Sequence, residues 1–172
     1  MSRKPEYYVA DIIRAAGGRL ASRVRLQKLG YLLDQLGLDS GFRYAYHHYG
    51  PYSRDLDSAI LDAEAFGLVQ EDYKYRQSDG ARYSIFQVAG ENADFTILID
   101  GHLQKLTKRL TSENVTVLEL AATAHWLDQI EKVPDWQTEI RRRKGWKTED
   151  GRLEKAARLL QELGLPPTAT TG

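Results

Sequence analysis

Cysteine is absent from this chain of 172 residues, which removes disulfides, thiolate nucleophiles and sulfur-ligated metals. Histidine occurs only four times, so a metal site would have to gather distant imidazoles or carboxylates. There is no run of about 18 uncharged apolar residues, the length needed to cross a bilayer. The opening "MSRKPEYYVADII" carries basic residues but neither an apolar signal core nor a small-residue cleavage site, and the expected location is cytoplasmic, with no membrane partner. Net charge is also missing. With 24 basic and 24 acidic residues, no global field steers the chain to nucleic acid. The balance is uneven along the sequence, 8 basic against 4 acidic in residues 1–50, 4 against 10 in 51–100 and 12 against 10 in 101–172.

What is present suffices for a core. At this length folding buries roughly 70% of the unfolded surface, and 42% hydrophobic with 28% charged residues is an ordinary globular mixture. After Pro5, the positions Tyr8, Val9, Ile12, Ile13 and Ala16 have helical spacing, stopped by Gly17-Gly18. Ser22 is the expected N-cap of "RVRLQKLGYLLDQLG", with Arg23, Arg25, Lys28 and Asp34 on its wetter side. "FRYAYHHY" alternates as a strand, and Gly50-Pro51 is expected to end it. Ser53 then caps a helix over residues 54–67, and "QEDYKYRQ", Ser78-Asp79-Gly80 and "RYSIFQVAG" read as a hairpin. Helical patterns follow near 95–110, 117–130, 135–144 and 152–163. The expected class is mainly α (α+β). A winged-helix-like part with a small antiparallel sheet or hairpin spans 1–90, a helical bundle packed on it spans 91–165 with "GENAD" as a candidate hinge, and 166–172 is a flexible tail.

The stretch "YHHYGPYS" at 46–53 concentrates the chemistry. Neighbours on a strand face opposite ways, so His47 and His48 do not share one ion, and neither metal nor cofactor is expected. Ser53, His48 and Asp55 supply the residue types of a hydrolase, but Ser53 has a capping role and no nucleophile elbow occurs. No catalytic residue is assigned; a hydrolase or nuclease accessory using His48 is the least favoured reading. The second charged motif is "RRRKGWK". Arg141, Arg142, Arg143, Lys144 and Trp146 are the nucleic-acid contacts of an alternative reading, a winged-helix regulator. Against it, the helix ahead of the hairpin carries Asp55, Asp57, Asp62 and Glu64, which phosphates would repel.

The order Leu26-Gln27-Lys28-Leu29, Tyr31-Leu32-Leu33, an aromatic strand, Tyr49-Gly50-Pro51 and Gly67-Leu68-Val69 resembles the prokaryotic YwgA-like and SocA-like group, the latter being antitoxins built on the Panacea domain. The resemblance covers about the first half of the chain. Tyr52-Ser53 stands where SocA-like members are more apolar, which places the sequence nearer the YwgA-like side. The resemblance implies a non-enzymatic protein that binds another protein, neutralising a toxin or presenting it to a protease. Tyr46, His48, Tyr49, Tyr52 and Arg54 are the expected contact residues, since tyrosine gives large contact area at low entropic cost. A homodimer is compatible with the same sequence.

Overall fold

The computed structural model describes residues 3–89 and 100–168. Helix α1 (Pro5–Ala15) starts on its proline, and the short strand β1 (Arg19–Ala21) leads to Ser22, whose hydroxyl accepts from the Arg25 N–H at the start of α2 (Arg23–Gln35). Strands β2 (Ala45–His47) and β3 (Gly50–Tyr52) form a two-stranded hairpin, with His47 opposite Gly50 and Tyr46 opposite Pro51. Ser53 caps α3 (Arg54–Ala65), its hydroxyl accepting from Leu56 N–H, and Asp55 and Asp57 in the first turn suit the helix dipole. Strands β4 (Val69–Tyr75) and β5 (Arg82–Val88) pair antiparallel, and β5 also pairs with β1, so the sheet order is β1-β5-β4.

The C-terminal helices are α4 (Gly101–Thr111), α5 (Val115–Gln129), α6 (Trp136–Lys144) and α7 (Arg152–Leu163), with a 3₁₀ turn at Gly145–Thr148. Helix α5 is apolar almost all round. Val117, Leu118, Leu120, Ala121, Ala122, Ala124 and Leu127 are all buried, as befits a helix enclosed by α2, α6, α7 and β3. A single apolar cluster runs from Val9 and Ile13 of α1 through Leu29 and Leu33 of α2 to Leu159 and Leu160 of α7. The small side chains on α5 let its neighbours approach closely, and burial of such a cluster at about 25 cal/mol per Å² is the main stabilising term.

The structure corrects several expectations. Gly50-Pro51 does not end the aromatic strand; the break is the turn at His48-Tyr49, and Gly50 and Pro51 begin the return strand. Proline is tolerated because this hairpin has only edge strands, where a missing N–H costs no interior ladder bond. Pairing covers Ala45–His47 rather than the whole of "FRYAYHHY". Lys28 is not on a wet face but is 1% exposed. The β1 strand had no sequence signal, being three residues whose partner lies in β5. Pro167, in the expected tail, is buried. The candidate hinge and the start of the helix expected near 95 lie outside the described residues, and α4 begins at Gly101 behind Asp100, its N-cap. Among the described residues no helix is long and apolar enough to cross a membrane.

Candidate interaction surface

Three buried polar groups hold the β2–β3 hairpin against the helices. Gln27 of α2 forms a two-way amide clamp, its Nε2 donating to Ser53 O and its Oε1 accepting from Ser53 N–H, both at 2.9 Å. The Lys28 amine donates to Pro51 O at 2.7 Å, and the Lys144 amine, from the end of α6, donates to His48 O at 3.0 Å. Lys144 is paired in turn with Glu119 of α5 at 2.8 Å, each side chain only 4% exposed, and Lys147 reaches the other oxygen of the same carboxylate at 3.1 Å. One turn carbonyl, one strand carbonyl and one carboxylate thus partner three amines, of which Lys28 and Lys144 lie away from bulk water, where an unpaired ion would be very costly.

Lys28 has an amine pKa pushed down to about 7, by burial first, with the positive charges of Lys144 and Lys147 acting in the same sense and Glu119 opposing. The unfolded chain then binds more protons than the native one between about pH 7 and the ordinary lysine value near 10.4. Stability therefore rises with pH across that window, and the cost of burying the charge is fully present below it. Lys28 alone should contribute a gain of about 2–3 kcal/mol between pH 6.5 and pH 9. Urea unfolding at both pH values should show this rise in the native chain and a much flatter response in Lys28→Met; equal slopes would show that the amine stays charged.

A second buried contact lies deeper. Tyr31 Oη and His125 Nδ1 are 2.7 Å apart. Burial pushes the tyrosine up and the histidine down, so a neutral phenol donating to a neutral imidazole is the favoured arrangement. His125 is thereby a core residue, edge-on to the Tyr31 ring, which also meets the ring of Trp126.

Around the clamped hairpin the exposed chemistry divides into three places. In the first, Tyr46, His47 and His48 face Arg142, Arg143 and Lys144 across a groove of about 580 Å³. The Arg143 guanidinium lies 4.8 Å from the Tyr46 ring centre, and Lys147 lies 5.0 Å from that of Tyr49, which is 53% exposed. In the second, on the other side of the hairpin, Tyr52 and Arg54 line a depression with Arg43, Tyr44, Ala45, His47 and Asp55. There the His47 ring packs on Tyr52, whose hydroxyl donates to Asp57. The third place holds Arg141, 3.7 Å from Glu154, and Trp146, exposed beside Arg152. The two residue sets named from sequence therefore overlap at one groove, while Tyr52 with Arg54, and Arg141 with Trp146, stand apart from it.

The basic run is largely neutralised within the chain. Arg142 and Arg143 both bind Glu139, Arg143 also binds Glu131 at 2.8 Å, and Lys144 binds Glu119. Hydrogen bonds from the two arginines hold the Glu139 carboxyl down at about 2. These ion pairs orient Arg143 over Tyr46 rather than leaving four loose cations. Sequence reading gave no site role to Glu119, Lys28, Gln27 or Lys147. The signals were there: Glu119 is the lone acid within "VLELAATA", and Lys28 precedes Tyr31 and Leu32 at helical spacing on an apolar face.

No protein-family model matches the chain. It is 28% identical over 139 residues to a DNA ADP-ribosyl glycohydrolase from Thermus aquaticus, covering 75% of this chain and 36% of that protein. It is also 25% identical over 118 residues to the uncharacterized protein YwgA of Bacillus subtilis, covering 66% of this chain and 69% of that protein. The chain thus spans about a third of the length of the first relative and about two thirds of the second. The second similarity supports a YwgA-like relationship.

Proposed function

We propose that this chain is a protein-interaction module, antitoxin-like in acting by stoichiometric binding, and that the groove between the β2–β3 hairpin and α6 is its contact surface. The observation that carries the reading is the groove itself. Tyr46 and His48 stand beside Arg143, which carboxylates of this chain fix over the Tyr46 ring. Tyrosine and arginine held in one orientation are the residue types that dominate binding energy at protein interfaces. Cations already paired at 2.7–2.8 Å have little to gain from phosphates, which favours a protein over a polyanion. The similarities fit a portable unit, since related sequence makes up most of a small protein and a minor part of a larger enzyme.

A tagged chain recovered from its native host at two salt concentrations, with nuclease treatment, tests this. The expected result is one stoichiometric protein that survives both treatments and is lost from the folded Tyr46→Ala/His48→Ala variant. The name of the glycohydrolase and the helix-strand-helix-hairpin order, with β4–β5 as a wing, favour a second reading, service to a nucleic-acid transaction. Nucleic acid that elutes with salt and weakens on neutralising Arg141 and Arg142, with no protein retained, would put that reading first.

A further inference from the structure

Strand β4 is an edge strand among the described residues, since the sheet order is β1-β5-β4. Its backbone polarity follows from the flanking bonds: Arg76 N–H donates to Ala81 O, and Ala89 N–H to Leu68 O. Both pairs belong to the β4–β5 register, and bonding alternates along an antiparallel ladder. Even-numbered residues of β4 therefore bond to β5, and Glu71, Tyr73 and Tyr75 turn their N–H and C=O groups to the open side. Of the usual edge protections this edge carries charged side chains, Glu71, Asp72 and Lys74, but these are of both signs, so a strand of complementary charge is not turned away. It holds no proline, and beyond Glu71 every residue of the strand is exposed, Tyr73 at 49% and Tyr75 at 68%. Such an edge is a template for another strand.

The side chains select what that strand is. If a second β4 runs antiparallel about a two-fold axis, regular bonding requires odd residues to face odd ones, so the axis passes through a residue position. An axis at Asp72 sets that carboxylate against itself, and one at Lys74 does the same with the amine. With the axis at Tyr75, Lys74 meets Arg76. An axis at Glu71 sets that carboxylate against itself as well. Only at Tyr73 do the pairs agree: Tyr73 with Tyr73, Asp72 with Lys74 twice by symmetry, Gln70 with Arg76, and Glu71 with Tyr75. Opposite charges directly across a ladder attract and like charges repel. The axis also sets the Val69 ends of the two strands, where each joins its own core, at opposite ends of the shared ladder. On this complementarity we infer that the chain self-associates through β4, as a two-fold dimer centred on Tyr73 that joins two three-stranded sheets into one of six strands. The interface is separate from the hairpin groove and independent of what that groove binds.

Asp72 and Lys74 are exposed, so reversing either should leave the fold intact. Sedimentation velocity over a concentration series should show a reversible dimer. Asp72→Lys and Lys74→Asp should each weaken it about tenfold or more, because symmetry doubles every new repulsion, and Asp72→Lys/Lys74→Asp together should restore it. The cysteine-free sequence supplies a second readout. Under mild oxidation Tyr73→Cys should give a covalent dimer, its Cα atoms lying about 5.5 Å apart in a bonded pair and within disulfide reach, whereas Gln70→Cys should not. A chain that stays monomeric throughout, with no cross-link through position 73, would overturn the inference. So would a dimer whose strength ignores both charge reversals.

Discussion

Glu119→Ala should lower the stability of the folded chain by about 3–5 kcal/mol, the usual cost of deleting one partner of a buried ion pair. The carboxylate binds Lys144 at 2.8 Å and Lys147 at 3.1 Å, and it and Lys144 are each only 4% exposed. Lys147, at 24%, has a path to water. Lys144 has none without abandoning His48 O, so its charge stays buried or the hairpin moves. Urea denaturation should therefore show a lower midpoint, and the Tyr46 environment should change even in the folded fraction. A companion variant separates charge from shape. Glu119→Leu/Lys144→Met removes both ions and refills the space with apolar atoms, and replacements of this kind are often neutral or stabilising. It should recover most of the lost stability. A Glu119→Ala cost below about 1 kcal/mol would mean that solvent reaches the cluster.

Gly50→Ala should cost about 3 kcal/mol, in two separable parts. Gly50 has φ +86°, a left-handed conformation that L side chains resist at about 1–2 kcal/mol. A Cβ there would also fall inside contact distance of Thr123 Oγ1 on α5, with Glu119 O at 3.8 Å close behind. Overpacking of that kind costs typically 1–3 kcal/mol. Thr123 gives the means to divide the two. Its hydroxyl is buried without a hydrogen-bond partner among the described residues, so Thr123→Ala alone removes an unsatisfied group and should change stability by less than about 1 kcal/mol. In the double variant Gly50→Ala/Thr123→Ala, the steric part should vanish and the backbone part remain. Additive losses in the cycle would show that the hairpin had already moved away from α5.

Local signals were legible where local chemistry decides. Ser22 and Ser53 cap the helices that their sequence positions announced, Asp79-Gly80 sits in the turn between β4 and β5, and α7 spans the periodic stretch 152–163. Distant partners were not legible. Strand β1 exists because β5, more than 60 residues on, offers Phe86 opposite Leu20. Pro51 was read as a strand terminator because its ring removes a donor, yet its carbonyl is what Lys28 reaches. The same holds for the surface. Tyr46 and Arg143 were both singled out, for different partners, and only the packing of α6 beside the hairpin brings them to 4.8 Å.

The bond from Lys144 to His48 O joins residues 96 positions apart in the chain. During synthesis the hairpin leaves the ribosome long before α6 does, and at about 5–20 residues per second the delay is on the order of 5–20 s. Throughout that interval Tyr46 and His48 lack the basic wall of their groove. A nascent chain therefore cannot present the finished surface, and the binding proposed there would begin only after the C-terminal helices have been made and docked.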